Sequence, residues 1–192
     1  MTMPRPAVFL DRDGTINVER SYLTKPEDMQ LLPFTGRALQ LLRAAGFACV
    51  VVTNQSAVGR GLMTDADLAR VHDEMNRQLA AAGAILDGVY ACTIAPTQDD
   101  ELAVEHPERK PGPGLLLRAA AELSLDLKKS WMIGDSLRDI LAGQNAGCLG
   151  CILVGARAAT TVSEFARAKP FLRADNLLEA ANHILQASAA EV

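Results

Sequence analysis

Short apolar segments alternate along the chain with longer segments in which apolar residues recur every three or four positions. The short segments are continuously apolar, which is typical of parallel strands covered by helices on both faces. The predicted strands are residues 7–10, 48–52, 88–92, 131–133 and 151–154. This alternation predicts an α/β fold of three layers, with a doubly wound parallel sheet in the middle.

The amphipathic segments between the strands predict helices with recognisable ends. The longest begins with a capping-box pattern at Thr64 and Asp67 and stops at Gly83, which predicts a helix over residues 64–82. The other predicted helices are residues 35–45, 113–123, 136–146 and 177–186.

The order of the strands decides which loops meet. If the first strand is central, right-handed crossovers can give the sheet order 3-2-1-4-5. The order then reverses between strands one and four, and ligands of open α/β sheets bind beyond the carboxyl ends of the strands at such a point. Asp11 and Asp13 follow the first strand and Asp135 follows the fourth, so we expect these three carboxylates to lie together.

The acidic loop Asp11-Arg12-Asp13-Gly14 has the chemistry of a metal site. Residues two apart in an extended loop can face the same way, and two nearby carboxylates need a cation or a shared proton between them. With Asp135 as a third oxygen ligand, the set suits Mg²⁺. The alternative is an acidic loop that merely caps a strand.

Further polar residues follow the other strands. Residues 53–56, Thr-Asn-Gln-Ser, can hold phosphoryl oxygens through side chains and backbone N–H groups, although such residues are also common in turns. Lys110 lies on a loop, because the following proline disfavours helix, and could be a solvated surface cation. Asp135 and Asp139 can share one face of a helix start, or act as a cap and a surface charge.

The composition of the chain argues against several classes of binding partner. The 192 residues are 49% hydrophobic and 22% charged with a net charge of −4, which argues against nucleic acid and anionic membranes as partners. The longest apolar run, residues 47–52, is far shorter than the roughly 20 residues of a membrane helix. We expect a cytoplasmic monomer with one domain over residues 1–192, and structural thiols at Cys49, Cys92, Cys148 and Cys151.

The motifs DRDGTIN, VVVTNQS, RKP and GDxxxD occur in this order. Together they resemble the four signatures of the haloacid dehalogenase-like (HAD) superfamily of phosphohydrolases, over about residues 7–155. They are similar in detail to the heptose bisphosphate and histidinol-phosphate phosphatases, and Tyr22 and the Gly59-Arg60-Gly61 turn also match the heptose enzymes. The resemblance implies a HAD-like Rossmannoid fold without a large cap domain.

The resemblance also implies a role for each motif residue. Asp11 would be the nucleophile, and Asp13 the general acid and then the general base. Mg²⁺ would be held by Asp11, the backbone carbonyl of Asp13, and Asp135. The phosphoryl group would be bound by Thr53, Asn54 and Lys110 and the substrate's remaining anionic group by Arg60 and Arg109, with Asp139 and Gln55 as supporting residues.

One segment departs from the heptose enzymes, which commonly carry a zinc loop with a Cys-x-His and a Cys-x-Cys pair. Here Cys92 has no histidine two residues later, and His106-Pro107-Glu108 stands before Arg109. One cysteine and one histidine do not make a closed tetrahedral site, so we expect no structural zinc.

The resulting expectation is a Mg²⁺-dependent phosphomonoester hydrolase that acts on a small phosphorylated metabolite, a heptose 1,7-bisphosphate at its 7-phosphate. The alternatives are a histidinol-phosphate or other small-metabolite phosphatase, and a catalytically silent binding protein on the same scaffold. A phospho-accepting receiver domain is disfavoured, because its acceptor aspartate follows the third strand, where this chain has Ala91-Cys92-Thr93.

Overall fold

A six-stranded parallel sheet forms the centre of the computed structural model, which describes residues 4–97, 99–155 and 166–189. Its strands are β1 (Ala7–Leu10), β2 (Ala48–Asn54), β3 (Gly88–Cys92), β4 (Trp131–Gly134), β5 (Gly150–Val154) and β6 (Leu172–Ala174). Their order is β3-β2-β1-β4-β5-β6, which confirms the predicted order and adds β6 at one edge. The central position of β1 is therefore established.

The predicted helices are confirmed to within a few residues at their ends. The helices are α1 (Thr35–Ala44), α2 (Ser56–Gly59), α3 (Asp65–Ala81), α4 (Gly114–Leu123), α5 (Leu137–Ala146) and α6 (Leu177–Ala189), with 3-10 turns at Pro26–Asp28 and Leu127–Lys129. Thr64 and Ser136 lie just outside α3 and α5 as capping residues, each in a complete capping box. The short α2 was not predicted.

Alternate side chains of the central strands enter two separate cores. Val8 and Leu10 of β1 pack with residues of α1, α3 and α6 on one face of the sheet. Phe9 packs with α4 and α5 on the other face. Both faces of β1, β2, β4 and β5 are therefore buried, which explains their continuously apolar segments and confirms the three-layer doubly wound architecture.

The registers of the central strands bring their loops to one edge. Leu10 of β1 pairs with Val51 of β2 and with Ile133 of β4. The backbone N–H of Asp11 donates to the carbonyl of Ile133 over 2.9 Å, so the first acid emerges beside the end of β4. Among the described residues, the helices are all too short or too polar to pass through a bilayer.

Candidate active site

Asp11 is a buried carboxylate at the carboxyl end of β1, with only 4% of the residue exposed. Its Oδ1 accepts hydrogen bonds from Lys110 Nζ at 2.7 Å and from the backbone N–H of Arg12 at 2.7 Å. Burial, and then the nearby Asp139, raise the pKa of Asp11, although Lys110 acts in the opposite direction. Lys110 therefore offsets part of the cost of burying an ionised Asp11, but not all of it.

Lys110 lies between two acids in the interior. Its Nζ is 2.7 Å from Asp11 Oδ1 and 2.7 Å from Asp139 Oδ1, and it donates to the carbonyl of Val52 over 2.8 Å. Burial would lower the pKa of Lys110, but Asp11 and Asp139 outweigh burial and raise it. Lys110 is thus a fixed ammonium beside the proposed nucleophile rather than a solvated surface cation.

Asn54 holds the backbone of Lys110 in place. Its side-chain amide donates to the carbonyl of Lys110 over 2.9 Å, and its side-chain oxygen accepts from the N–H of Lys110 over 3.0 Å. Both polar atoms of the Asn54 side chain are therefore engaged with the main chain of Lys110. These contacts position Lys110, and the binding of the phosphoryl group by Asn54 stays a prediction.

Asp13 is surrounded by donors. Arg12 Nη2 approaches both of its oxygens, at 2.8 and 3.0 Å, and the amides of Asn17 and Gln55 each donate over 2.9 Å. Burial would raise the pKa of Asp13, but Arg12 and these amide hydrogen bonds outweigh burial and lower it. Asp13 is therefore held as a carboxylate. Gln55 also donates to Thr53 Oγ1 over 2.8 Å, and so links Asp13 to a buried hydroxyl.

Arg12 is a residue whose importance the sequence did not reveal. Its side chain is completely buried, and its Nη1 lies 3.2 Å from Nε2 of His72 on α3. Burial, and then Arg12 itself, lower the pKa of His72 to about 4, so the ring is neutral at pH 7 and can accept from Arg12. The signal in the sequence was an arginine within two residues of the end of a buried strand, a position where a charge needs partners.

Three carboxylates form a compact group that could hold a metal ion. Each of Asp11, Asp135 and Asp139 offers one oxygen, and these oxygens lie within 4.8 Å of one another. Oδ2 of Asp139 accepts from the N–H of Ser136 over 3.0 Å as part of the cap of α5, so Asp139 also stabilises the start of this helix. A cluster of hard oxygen donors around a buried acid with a raised pKa fits Mg²⁺. The carboxylate of Asp13 is not part of this group.

Gly14 makes room for Asp135. It has a φ of +75°, and a Cβ built on it would lie 2.7 Å from Asp135 Cγ. We expect Gly14→Ala to displace Asp135 and to lower kcat/KM by about 10²-fold, in addition to a backbone strain of about 1–2 kcal/mol. Phosphate release at a series of Mg²⁺ concentrations measures the effect, because a displaced ligand also raises the Mg²⁺ concentration needed for half-maximal rate.

Gly46→Ala is the matched control for this prediction. Gly46 has a φ of +90° at the end of α1, and a Cβ there would meet nothing within 4 Å. This variant should suffer the same backbone strain and keep the activity of the natural protein. Equal activity losses in the two variants would contradict a specific role for Gly14.

A cleft of about 250 Å³ lies above these acids. The predicted residues that line it are Asp11, Asp13, Thr53, Asn54, Gln55, Arg60, Arg109 and Lys110. Tyr22 also faces it, and so do Glu101 and Arg138, which were not predicted. The Gly59-Arg60 turn lies close to the backbone at Ala95, which is possible because Gly59 has no side chain. A Cβ on Gly59 would lie only 2.7 Å from the backbone nitrogen of Ala95. The sequence motifs therefore converge on one cavity, with Asp135 and Asp139 in the carboxylate group at Asp11.

Comparison with known proteins gives this cavity its context. The HAD-hydrolase-like family profile matches residues 108–180. The D-glycero-D-manno-heptose-1,7-bisphosphate 7-phosphatase of Thermosynechococcus vestitus is 40% identical over 156 residues, which cover 79% of this chain and 80% of that protein. The chain belongs to the HAD phosphatase family.

Other members of the family agree in sequence and in structure. The corresponding 7-phosphatase of Photorhabdus laumondii is 42% identical over 143 residues, covering 74% of this chain and 76% of that protein. The D,D-heptose 1,7-bisphosphate phosphatase of B. bronchiseptica, crystallised with magnesium and phosphate, has a TM-score of 0.79 and 32% identity over 95% of this chain and 99% of that one. This chain thus shares the HAD fold and the phosphatase activity of these relatives.

The loop between β3 and α4 is tied by polar contacts in this HAD phosphatase. The carboxylate of Glu105 accepts one hydrogen bond from the backbone N–H of Thr97 at 3.1 Å and one from the hydroxyl of Thr97 at 3.2 Å. The side chain of Arg109 donates to the carbonyl of Ile94 over 2.8 Å. Among the described residues, the only group of metal-ligand side chains is the aspartate group. That no structural zinc is bound stays a prediction, which metal analysis of the dialysed protein would test.

Proposed function

We propose that this HAD phosphatase removes the 7-phosphate of a heptose 1,7-bisphosphate through an aspartyl phosphate formed on Asp11. The observation that carries the proposal is the contact of Lys110 with Asp11 at 2.7 Å, beside a group of carboxylates suited to Mg²⁺. The names of the relatives support the substrate, since those proteins are heptose-1,7-bisphosphate 7-phosphatases. We also propose that it acts as a cytoplasmic monomer in one domain over residues 1–192.

The first half of the reaction forms the covalent intermediate. A carboxylate oxygen of Asp11 attacks phosphorus, and the bond between phosphorus and the sugar oxygen breaks. Lys110 and the hydroxyl of Thr53 hold the phosphoryl oxygens, and Asp13 gives a proton to the departing sugar oxygen. A Mg²⁺ held by Asp11, Asp135 and the backbone carbonyl of Asp13 would lower the repulsion between carboxylate and phosphate.

The second half reverses the role of Asp13. Its carboxylate takes a proton from water, the water oxygen attacks phosphorus, and the bond to Asp11 breaks to release inorganic phosphate. The hydrogen bonds from Arg12, Asn17 and Gln55 favour this ionised form of Asp13. For the first half Asp13 must carry a proton, so substrate entry has to weaken its contact with Arg12.

The charges around the cleft favour a bisphosphate. One phosphate would react at Asp11, and Arg60 and Arg109 line the same cleft and would bind the other. Histidinol phosphate, the main alternative substrate, has a cationic amine where a bisphosphate has its second anion. Two arginines would repel that amine, so the cleft disfavours histidinol phosphate.

A comparison of substrates tests the proposal. With Mg²⁺ present, kcat/KM for heptose 1,7-bisphosphate should exceed that for heptose 7-phosphate, simple sugar monophosphates and histidinol phosphate by at least about tenfold, since a charge-assisted contact contributes roughly 1.5–3 kcal/mol. Removal of the metal with EDTA should abolish phosphate release, and added Mg²⁺ should restore it. A preference below tenfold would reject the heptose bisphosphate as the substrate.

A further inference from the structure

Arg138 lies in the cleft although none of the motifs assigns it a role. It occupies the first turn of α5, between the acids Asp135 and Asp139, and its side chain is 20% exposed. It borders both the cleft above Asp11 and an adjoining cavity of about 430 Å³ that also contains Arg60 and Arg109. An arginine in this place can reach a substrate group that lies away from the reacting phosphate.

The contacts of Arg138 leave part of its binding capacity unused. Its Nε is buried and makes no hydrogen bond to any described residue. Its Nη1 contacts Glu101 Oε2 at 3.3 Å, and the Glu101 side chain is 67% exposed. A guanidinium offers five N–H donors in a fork that fits carboxylate and phosphate oxygens, so the bond to Glu101 satisfies little of it.

Arg138 is also close to a second guanidinium. Burial, and then the charge of Arg138, lower the pKa of Arg109. Two like charges on the walls of one cavity are unfavourable unless an anion lies between them. Nearby acids outweigh burial and raise the pKa of Arg138, in the order Asp139, Asp11, Glu101 and Asp135. The acid beside Arg109 is Glu105, whose Oε2 lies 4.0 Å from Arg109 Nε.

We propose that Arg138 and Arg109 together bind the remote anionic group of the substrate, and that Glu101 occupies this position until the substrate displaces it. The proposal rests on the function proposed above. It adds Arg138 as a residue that determines substrate specificity and Glu101 as a group that competes with the substrate for Arg138. Exchange is favourable because an ion pair whose acid is mostly in solvent contributes little, about 0–1 kcal/mol when exposed, whereas a phosphate can bond to both guanidiniums.

The two partners of the ion pair differ in their freedom to move. The backbone N–H of Arg138 donates to Ser136 Oγ over 3.4 Å at the start of α5, which fixes the arginine on a rigid element. Glu101 lies on the loop between β3 and α4, and most of its side chain is in solvent. When the substrate binds, Glu101 is therefore the partner that moves away, while Arg138 stays in place on α5.

The test compares substitutions at both ends of the ion pair. Arg138→Met should lower the ratio of kcat/KM for heptose 1,7-bisphosphate to that for heptose 7-phosphate by at least tenfold, because charge-assisted hydrogen bonds are lost. Glu101→Gln should change the ratio in the opposite direction, by about two- to fivefold, because it removes the competitor. If the ion pair only braced the loop, both variants would lower the ratio.

Arg167→Met is the matched control. Arg167 pairs at 3.0 Å with Asp100, which directly precedes Glu101 on the loop between β3 and α4. Replacing Arg167 therefore removes a similar ion pair beside Glu101. This control should leave the substrate ratio unchanged. Circular dichroism of each variant shows whether the protein is folded, and the opposite effect of Glu101→Gln cannot arise from unfolding.

Binding without turnover separates this inference from the proposed function. Calorimetry with Asp11→Asn measures the Kd of heptose 1,7-bisphosphate, and adding Arg138→Met should raise that Kd at least tenfold. An unchanged Kd would overturn the role of Arg138 alone. If the bisphosphate does not bind to Asp11→Asn, both the inference and the proposed substrate are rejected.

Discussion

Asp11→Asn is expected to lower kcat on the order of 10⁴-fold or more, to the background rate. The amide oxygen of asparagine is a poor nucleophile, and no covalent intermediate can form on it under turnover conditions. Phosphate release with saturating Mg²⁺ and substrate measures the loss. Acid quenching of the natural protein during turnover, followed by mass spectrometry, should find a phosphoryl group on the peptide that contains Asp11 and find none in the variant.

Asp73→Asn makes the same chemical change on the exposed side of α3 and serves as the control. It should keep the activity of the natural protein, because Asp73 is remote from the chemistry and solvated. Mg²⁺-dependent turnover that survives Asp11→Asn would refute the nucleophile, whatever the substrate is.

Lys110→Met is expected to destabilise the protein by about 3–5 kcal/mol and to remove nearly all activity. Removal of one partner from a buried ion pair leaves uncompensated charge in the interior, and here Asp11 and Asp139 would both lose their ammonium contact at 2.7 Å. Urea unfolding in EDTA measures the loss of stability without metal. Added Mg²⁺ should recover part of it, since the cation binds the folded state.

The stability deficit of Lys110→Met should also depend on pH. Burial and Asp139 raise the pKa of Asp11, and the substitution removes the opposing effect of Lys110. An acid whose pKa is higher in the folded than in the unfolded state opposes folding when ionised. Its cost is greatest above the folded pKa, decreases as pH falls below that value, and disappears only below the unfolded pKa. The deficit should therefore be smaller at pH 5 than at pH 8.

Lys129→Met is the control for Lys110. Lys129 Nζ is 3.9 Å from Asp126, and its side chain is 70% exposed. Its substitution should change the free energy of unfolding by no more than about 0.5 kcal/mol. Equal stability of the two variants at all pH values would mean that the buried charges are hydrated in solution.

The sequence predicted those parts of the fold that local signals determine. Continuous apolar segments identified five of the six strands, β1 to β5, and the capping box at Thr64 located the start of α3. By contrast β6, Leu172–Ala174, is short and carries the exposed Arg173, so it has no apolar signal of its own. It forms because β5 offers it a partner.

The site was predictable as a set of residues but not as a set of contacts. Topology brought Asp11 and Asp135 together, as expected, but the third carboxylate of the group is Asp139 rather than Asp13. The clamp of Asn54 on Lys110 joins residues that are 56 positions apart, and the ion pair of Glu101 with Arg138 spans 37 positions. No periodicity or local motif encodes such contacts, because they depend on how loops from different strands fold over one another.

Some of the recognition groups belong to a different part of this architecture from the reactive acids. Asp11 and Asp135 follow β1 and β4, the two innermost strands, whereas Arg60 and Glu101 belong to peripheral connections. Interior strands open only when the whole domain unfolds, while surface connections tolerate replacement. Evolution can therefore exchange the walls of the cavity and retarget the enzyme to another phosphate ester while its reactive centre remains intact.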